Sequence, residues 1–315
     1  MNDKNASRNS IIAAFAAVYI IWGSTYLGIR FAIQTIPPFL MGGVRFFIAG
    51  MILYAAMRIR GAPRPTLLQW RNTTIVGAGL ILGGNGMVLW AEQYVPSGLT
   101  ALLVAILPFW MALLDWIRPG GKRPTFGVSL GLVVGVIGLV FLIGPSALHP
   151  GSAPDSSGGV VLAGALGLMF GSLCWASGSL FAQHTDLPES ALLSTSMQMI
   201  SGGFLLFVVA LIRREPMQFD PAQVSARSWI AFFYLIFIGS LIAYSAYVWL
   251  LTVQPPSRVS TYAYVNPVVA VFLGWALAGE ALTLRTAIAS AIIIAGVILI
   301  TTARSSSLSR ERARA

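Results

Sequence analysis

Ten stretches of about 20 mainly apolar residues follow one another along this chain: 11–32, 38–57, 72–94, 97–116, 126–144, 159–183, 190–212, 228–252, 258–279 and 286–303. At about 1.5 Å rise per residue, a helix of that length crosses the hydrocarbon of a bilayer. The connections between them are short, the longest lying near 145–158 and 213–227, so no soluble domain is left over. Composition agrees: 57% of the 315 residues are hydrophobic and 10% are charged, where a soluble domain carries roughly a quarter charged. The sequence therefore predicts an all-α integral membrane protein of ten transmembrane helices.

Several classes fall away at once. The first apolar stretch follows "MNDKNASRNS" without a small-residue cleavage pattern and leads into further spans, so it reads as a helix and not as a signal peptide. The single cysteine, Cys174, cannot form an internal disulfide framework. His149 and His184 both fall in predicted loops, so no metal and no cofactor is expected. A net charge of +10 invites a nucleic-acid reading. The basic residues follow the membrane instead, with fourteen of the twenty Lys and Arg on the side that an even number of spans gives to both termini. The positive-inside rule makes that side cytoplasmic.

The ten spans divide into two fives. "IIWGS" (20–24) matches "LCWAS" (173–177), setting Trp22 against Trp175 at an offset of 153. "RFFIAGMILYA" (45–55) matches "QMISGGFLLFV" (198–208) at the same offset. Further on, at an offset of 159, Trp90 faces Trp249, Pro108 faces Pro267 and Trp116 faces Trp275. Gly127, Gly131 and Gly135 recur every four residues in the fifth span, as do Ala287, Ala291 and Ala295 in the tenth. Such spacing lets helices approach closely in lipid. Residues 1–150 and 151–315 thus form two five-helix units. Five is odd, so the second enters the membrane from the opposite face: two inverted repeats around a central cavity, a device of secondary transporters.

Pro108 and Pro267 fall near the middle of the fourth and ninth spans. There a proline frees backbone carbonyls that only protein or a wet cavity satisfies, which makes the pair candidate hinges. No Asp or Glu lies mid-span; Glu92, Asp115 and Glu280 stand at span ends. That absence points to facilitated transport, and it leaves no acid–base pair for a hydrolase. Arg45 is the buried exception, about 10 Å below the end of its helix. An ion pair with Glu92 is its favoured role, binding a substrate carboxylate the sharper alternative. Asn85 and Asn266 are uncharged and deep, the latter placed to cap groups that Pro267 frees. Trp22, Trp110, Trp175, Tyr244, Tyr262 and Tyr264 lie below the interfacial belts and are candidates to line the cavity.

"YIIWGSTYLGIRFAI", "GVRFFIAG", "GNGMVLWAEQYVPSGLTALLVAILPFW" and "YAYVNPVVAVFLGWALAGE" resemble the EamA-type members of the drug/metabolite transporter superfamily. The resemblance covers nearly the whole chain, and the nearest flavour is that of bacterial inner-membrane exporters of amino acids and other metabolites. It implies a cavity formed by helices 1, 3, 4, 6, 8 and 9, with Trp175 in the place of a cavity-lining tryptophan. The aromatic-amino-acid exporters also carry a tryptophan just before the fourth-helix proline; here Leu107 stands there, with Trp110 three residues on. The first unit reads "PGGKRP" where the second keeps Gly279–Glu280. The expected protein is an inner-membrane exporter of small metabolites, amino acids foremost, working by alternating access as a monomer or homodimer. A multidrug or organic-cation exporter is the alternative, a membrane enzyme a distant one.

Overall fold

The helices begin where side chains or prolines can end a hydrogen-bond ladder. Helix α1 (Arg8–Ala32) is capped by Ser7, whose Oγ accepts from the Ser10 N–H at 3.1 Å. Helix α2 (Pro38–Ile59) opens on a proline, which needs no intrahelical donor there. Helix α3 (Leu67–Ala91) starts with a capping box between Thr66 and Gln69, which carries it five residues ahead of the apolar stretch that begins at 72. Helix α4 (Ser97–Ile117) follows Pro96. Then come α5 (Phe126–Ile143) and α6 (Ser157–Gln183). Ser190 caps α7 (Ala191–Ile212), and Ser225 caps α8 (Ala226–Leu250). Helices α9 (Tyr262–Ala278) and α10 (Leu284–Arg312) complete the series; α9 closes at Gly279, whose φ of 66° suits a residue without Cβ. The structure is a computed structural model that describes residues 7–118, 125–143, 157–254, 259 and 261–312, and no strand occurs among them.

Among the described residues, seven helices (α1–α4 and α6–α8) are long and apolar enough to cross a membrane, and α5, α9 and α10 carry shorter apolar runs. Large side chains left on the outside are apolar, among them Phe170, Phe204, Phe237 and Phe272 at 47–58% exposure. A surface of that kind is at home in hydrocarbon.

Helix α2 packs along α7 and α5 along α10, while α4 crosses α9. Helix α3 lies on α6, and α1 lies on both α8 and α9. Glycine sets the closest approaches. A Cβ on Gly296 would stand 2.7 Å from the Gly135 nitrogen and 2.8 Å from the Gly131 carbonyl. The glycine stripe of α5 is therefore consumed against α10 of the same chain.

The two prolines behave differently. Helix α4 is interrupted at Ala105–Ile106, and Pro108 is the second residue of a fresh helix, where its missing N–H costs nothing. Pro267 sits inside an unbroken α9. The Asn266 amide, with its nitrogen as donor, bridges the carbonyls of Tyr262 and Tyr19 at 3.2 Å each, tying the first turns of α9 to α1. The expectation of two matching breaks thus holds in form only for α4.

Two departures from α-helical winding lacked any sequence signal. Ala78–Asn85 in α3 and Leu235–Ile242 in α8 are wound as π-helical turns. Each is eight residues long, and they lie at corresponding places in the two halves. In the first, Asn85 Nδ2 donates to the Leu80 carbonyl five residues back at 3.2 Å. Such turns recur at functional sites because they re-aim side chains and loosen the backbone ladder.

Candidate functional site

A cavity of about 140 Å³ lies between α1, α2, α3, α4, α6, α8 and α9. An engineered apolar cavity of comparable size admits benzene, so this one suits a small organic molecule. Both π-helical turns border it, through Gly84 and Asn85 on α3 and Gly239 on α8. Gly84 is required there: a Cβ would come within 2.6 Å of the Trp175 ring.

One wall is aromatic. The Trp22 ring lies 5.2 Å from Tyr244, 5.0 Å from Tyr247 and 5.2 Å from Tyr262, centroid to centroid. The Tyr244 and Tyr262 contacts are edge-on and the Tyr247 contact tilted, and edge-on pairs are a favoured aromatic geometry. They fix the Trp22 indole as a rigid surface joining α1, α8 and α9. Trp175 faces the cavity from α6.

Among the residues singled out from sequence, Trp22, Asn85, Trp175, Tyr244, Tyr262 and Asn266 line the cavity. Trp110 does not; it packs edge-on against Phe109 at 5.0 Å, and its buried Nε1 has no hydrogen-bond partner among the described residues. The restart of α4 just before Pro108 turns Leu107, and not Trp110, toward the cavity. The side chain of Tyr264 lies outside the described residues. Sequence reading passed over Thr25, Tyr26, Phe46 and Ser172, all of which line the cavity. Thr25 and Tyr26 are three and four residues beyond Trp22, so the helical period would have found them.

The Arg45–Glu92 ion pair is not formed. Arg45, 4% exposed, donates from Nε to Ser240 Oγ at 3.0 Å, and its guanidinium lies 4.6 Å from the Phe46 ring centroid. Ser240 belongs to the π-helical turn of α8, whose extra winding brings it to α2. Glu92 is 1% exposed, and neither carboxylate oxygen has a hydrogen-bond partner among the described residues. Removing a buried polar group that lacks partners relieves a desolvation cost. Glu92→Leu is therefore expected to stabilise the purified protein by about 1–2 kcal/mol, read as a raised midpoint in thermal unfolding. A lowered midpoint would show the carboxylate to be satisfied.

At the end of the bundle where α1, α3 and α9 finish, Glu280 holds three groups. Its carboxylate accepts from the Ser97 N–H at 2.7 Å, the Ser97 hydroxyl at 2.8 Å and the Gly98 N–H at 3.0 Å. Arg30 stands 4.0 Å from the same carboxylate and donates to the Glu92 carbonyl at 3.2 Å. At the other end of α4, Arg118 pairs with Asp115 at 2.7 Å and meets His184 Nε2 at 2.7 Å. Both ends of the cavity region are thus tied by polar bridges between the halves.

Helices long and apolar enough to cross a membrane, packed around a cavity of this size, fit a membrane transport protein. Similarity to known proteins gives the same class. The profile of the EamA-like transporter family matches residues 9–144 and 162–302, and the chain belongs to that family. It is 36% identical over 292 residues to the "Uncharacterized inner membrane transporter YedA" of Escherichia coli (strain K12), covering 92% of this chain and 90% of that one. It is 25% identical over 297 residues to the "Uncharacterized transporter YoaV" of Bacillus subtilis (strain 168), at 92% and 96% coverage. A crystal structure superposes with a TM-score of 0.62 over 94% of this chain and 98% of its own; at 20% identity the likeness is one of fold. The family is one of transporters, not of enzymes.

Proposed function

We propose that the protein exports small metabolites, amino acids foremost, across the inner membrane by alternating access. The observation that carries this reading is the cavity itself, lined from both halves by Trp22, Asn85, Trp175 and Asn266. Its two halves are read as inverted five-helix repeats, residues 1–150 and 151–315. Three features support that arrangement. The family profile matches twice, at 9–144 and 162–302. The π-helical turns occupy corresponding places in α3 and α8. Packing partners exchange between halves: α3 on α6 is mirrored by α8 on α1, and α4 on α6 by α9 on α1. The charge bias of the sequence supports a cytoplasmic location for both termini.

The restart of α4 at Leu107–Pro108 and the proline-bearing α9 make these two crossing helices the compliant elements. Among the described residues no Asp or Glu lines the cavity, which supports facilitated movement down a concentration gradient. The same absence removes the counter-charge that an organic cation would want.

Counterflow of radiolabelled amino acids in proteoliposomes, with and without an imposed pH gradient, tests the reading. Saturable exchange indifferent to the gradient is expected. Exchange of no amino acid would sink it. Trp175→Ala, which removes one aromatic wall, is expected to weaken substrate half-saturation by about tenfold, the loss of a stacking surface worth 1–1.5 kcal/mol. Unchanged kinetics for every substrate would remove Trp175 from the site.

A further inference from the structure

We infer that Arg45 is the anion anchor of the cavity, so that the protein selects substrates through a carboxylate. The inference rests on the transport reading above and names the chemical group which that site recognises.

Arg45 is the one charged side chain among the described residues that line the cavity. It is 4% exposed and lies within a helix of the membrane-spanning bundle, where an unpaired charge is costly. A guanidinium offers five N–H donors in a rigid fork. Arg45 uses Nε alone, on Ser240, and no other hydrogen bond of the group forms among the described residues. Nor does any carboxylate approach it within salt-bridge distance among them, Glu92 included. Its planar guanidinium lies over the Phe46 ring, so the fork is held in position while its remaining donors are unspent.

Gly239 borders the guanidinium: a Cβ at that position would lie 3.5 Å from Nη2. A carboxylate fits a guanidinium fork with two parallel hydrogen bonds. The body attached to it would meet the Trp22 and Trp175 faces across the cavity. An organic cation meets the wrong sign of charge, and a neutral analogue leaves the donors unpaired, which costs discrimination of tenfold or more.

The test uses the full chain purified in lipid nanodiscs, with intrinsic tryptophan fluorescence reporting occupancy near Trp22 and Trp175. The probes are benzoate, benzamide and benzylamine, which share a ring and differ in charge. Benzoate is expected to bind saturably and at least about tenfold more tightly than benzamide or benzylamine. Arg45→Gln is expected to lose that preference while benzamide binding stays within about twofold, and Arg45→Lys, which keeps the charge without the fork, to retain part of it. A general structural role for Arg45 would shift all three probes alike, and that result overturns the inference. So does benzylamine binding as tightly as benzoate in the unmodified protein, a comparison that stands even where Arg45→Gln does not fold. Competition by chloride at the same concentration as benzoate would mark a generic anion trap and would also overturn it. Binding and transport separate the two readings. Benzoate selectivity without amino-acid counterflow retains the anchor and sinks the transporter. Counterflow with no charge preference retains the transporter and sinks the anchor. Neither binding nor counterflow removes both.

Discussion

Gly203→Leu is expected to prevent stable folding of the bundle, more completely than any change in the cavity. Helices α2 and α7 meet backbone to backbone. A Cβ on Gly203 would lie 2.6 Å from the Phe47 nitrogen and 3.0 Å from the Gly43 carbonyl, and one on Gly43 would lie 2.8 Å from the Phe207 nitrogen. These neighbours are main-chain atoms, which no rotamer change can withdraw. Accommodation means separating two helices along their length, and that forfeits the close packing on which association in lipid depends. Overpacking costs typically 1–3 kcal/mol where side chains give way; here the cost is on the order of 3 kcal/mol or more. Gly159→Leu is the matched control. Nothing lies within 4 Å of its Cβ position, and it sits in a helix, so stability should hold or rise by about 1 kcal/mol from helix propensity. Monodispersity after detergent extraction, followed by thermal unfolding, reads both. Equal behaviour of the two variants would remove the α2–α7 contact as a determinant of the fold.

Glu280→Ala should be the next most damaging. One carboxylate satisfies the Ser97 N–H, the Ser97 hydroxyl and the Gly98 N–H at the start of α4. The residue stands after α9, so the cap is also a tie between segments 182 residues apart in sequence. Losing an N-cap costs about 0.5–2 kcal/mol, and leaving charge-assisted donors unpaired adds to it. A loss of about 2–4 kcal/mol is expected, with Glu280→Gln recovering part because its amide oxygen still accepts. Gly274 belongs to the same device, since a Cβ there would press to 2.4 Å from the carboxylate. Equal melting of Glu280→Ala and the unmodified protein would show that the cap contributes nothing in the membrane.

The candidate site was legible in part, and the divisions have physical causes. Trp22, Trp175, Asn85 and Asn266 were found because deep polar and aromatic residues in a lipid-facing chain need a reason to be there. Depth alone does not fix the facing of Trp110, because the restart of α4 at Leu107 resets which residues turn inward. Arg45 was assigned to Glu92 because the two lie at a similar level in the membrane. Level does not fix rotation about a helix axis. The π-helical turn of α8 carries Ser240 to Arg45 instead and leaves Glu92 buried without a partner.

Hydrophobic runs and proline positions are local or additive properties of a chain, and they determined the helices and their approximate ends. Which faces meet is another matter. A π-helical turn adds a residue to each turn of winding, so every position beyond Asn85 or Ile242 faces differently from what a 3.6-residue period predicts. Only the packed bundle decided that Thr25, Tyr26 and Ser172 border the cavity, that Glu280 caps α4, and that Arg45 borders the cavity with its Nε on Ser240. Those outcomes depend on helix rotation and on contacts far apart in sequence, which no short stretch of residues encodes.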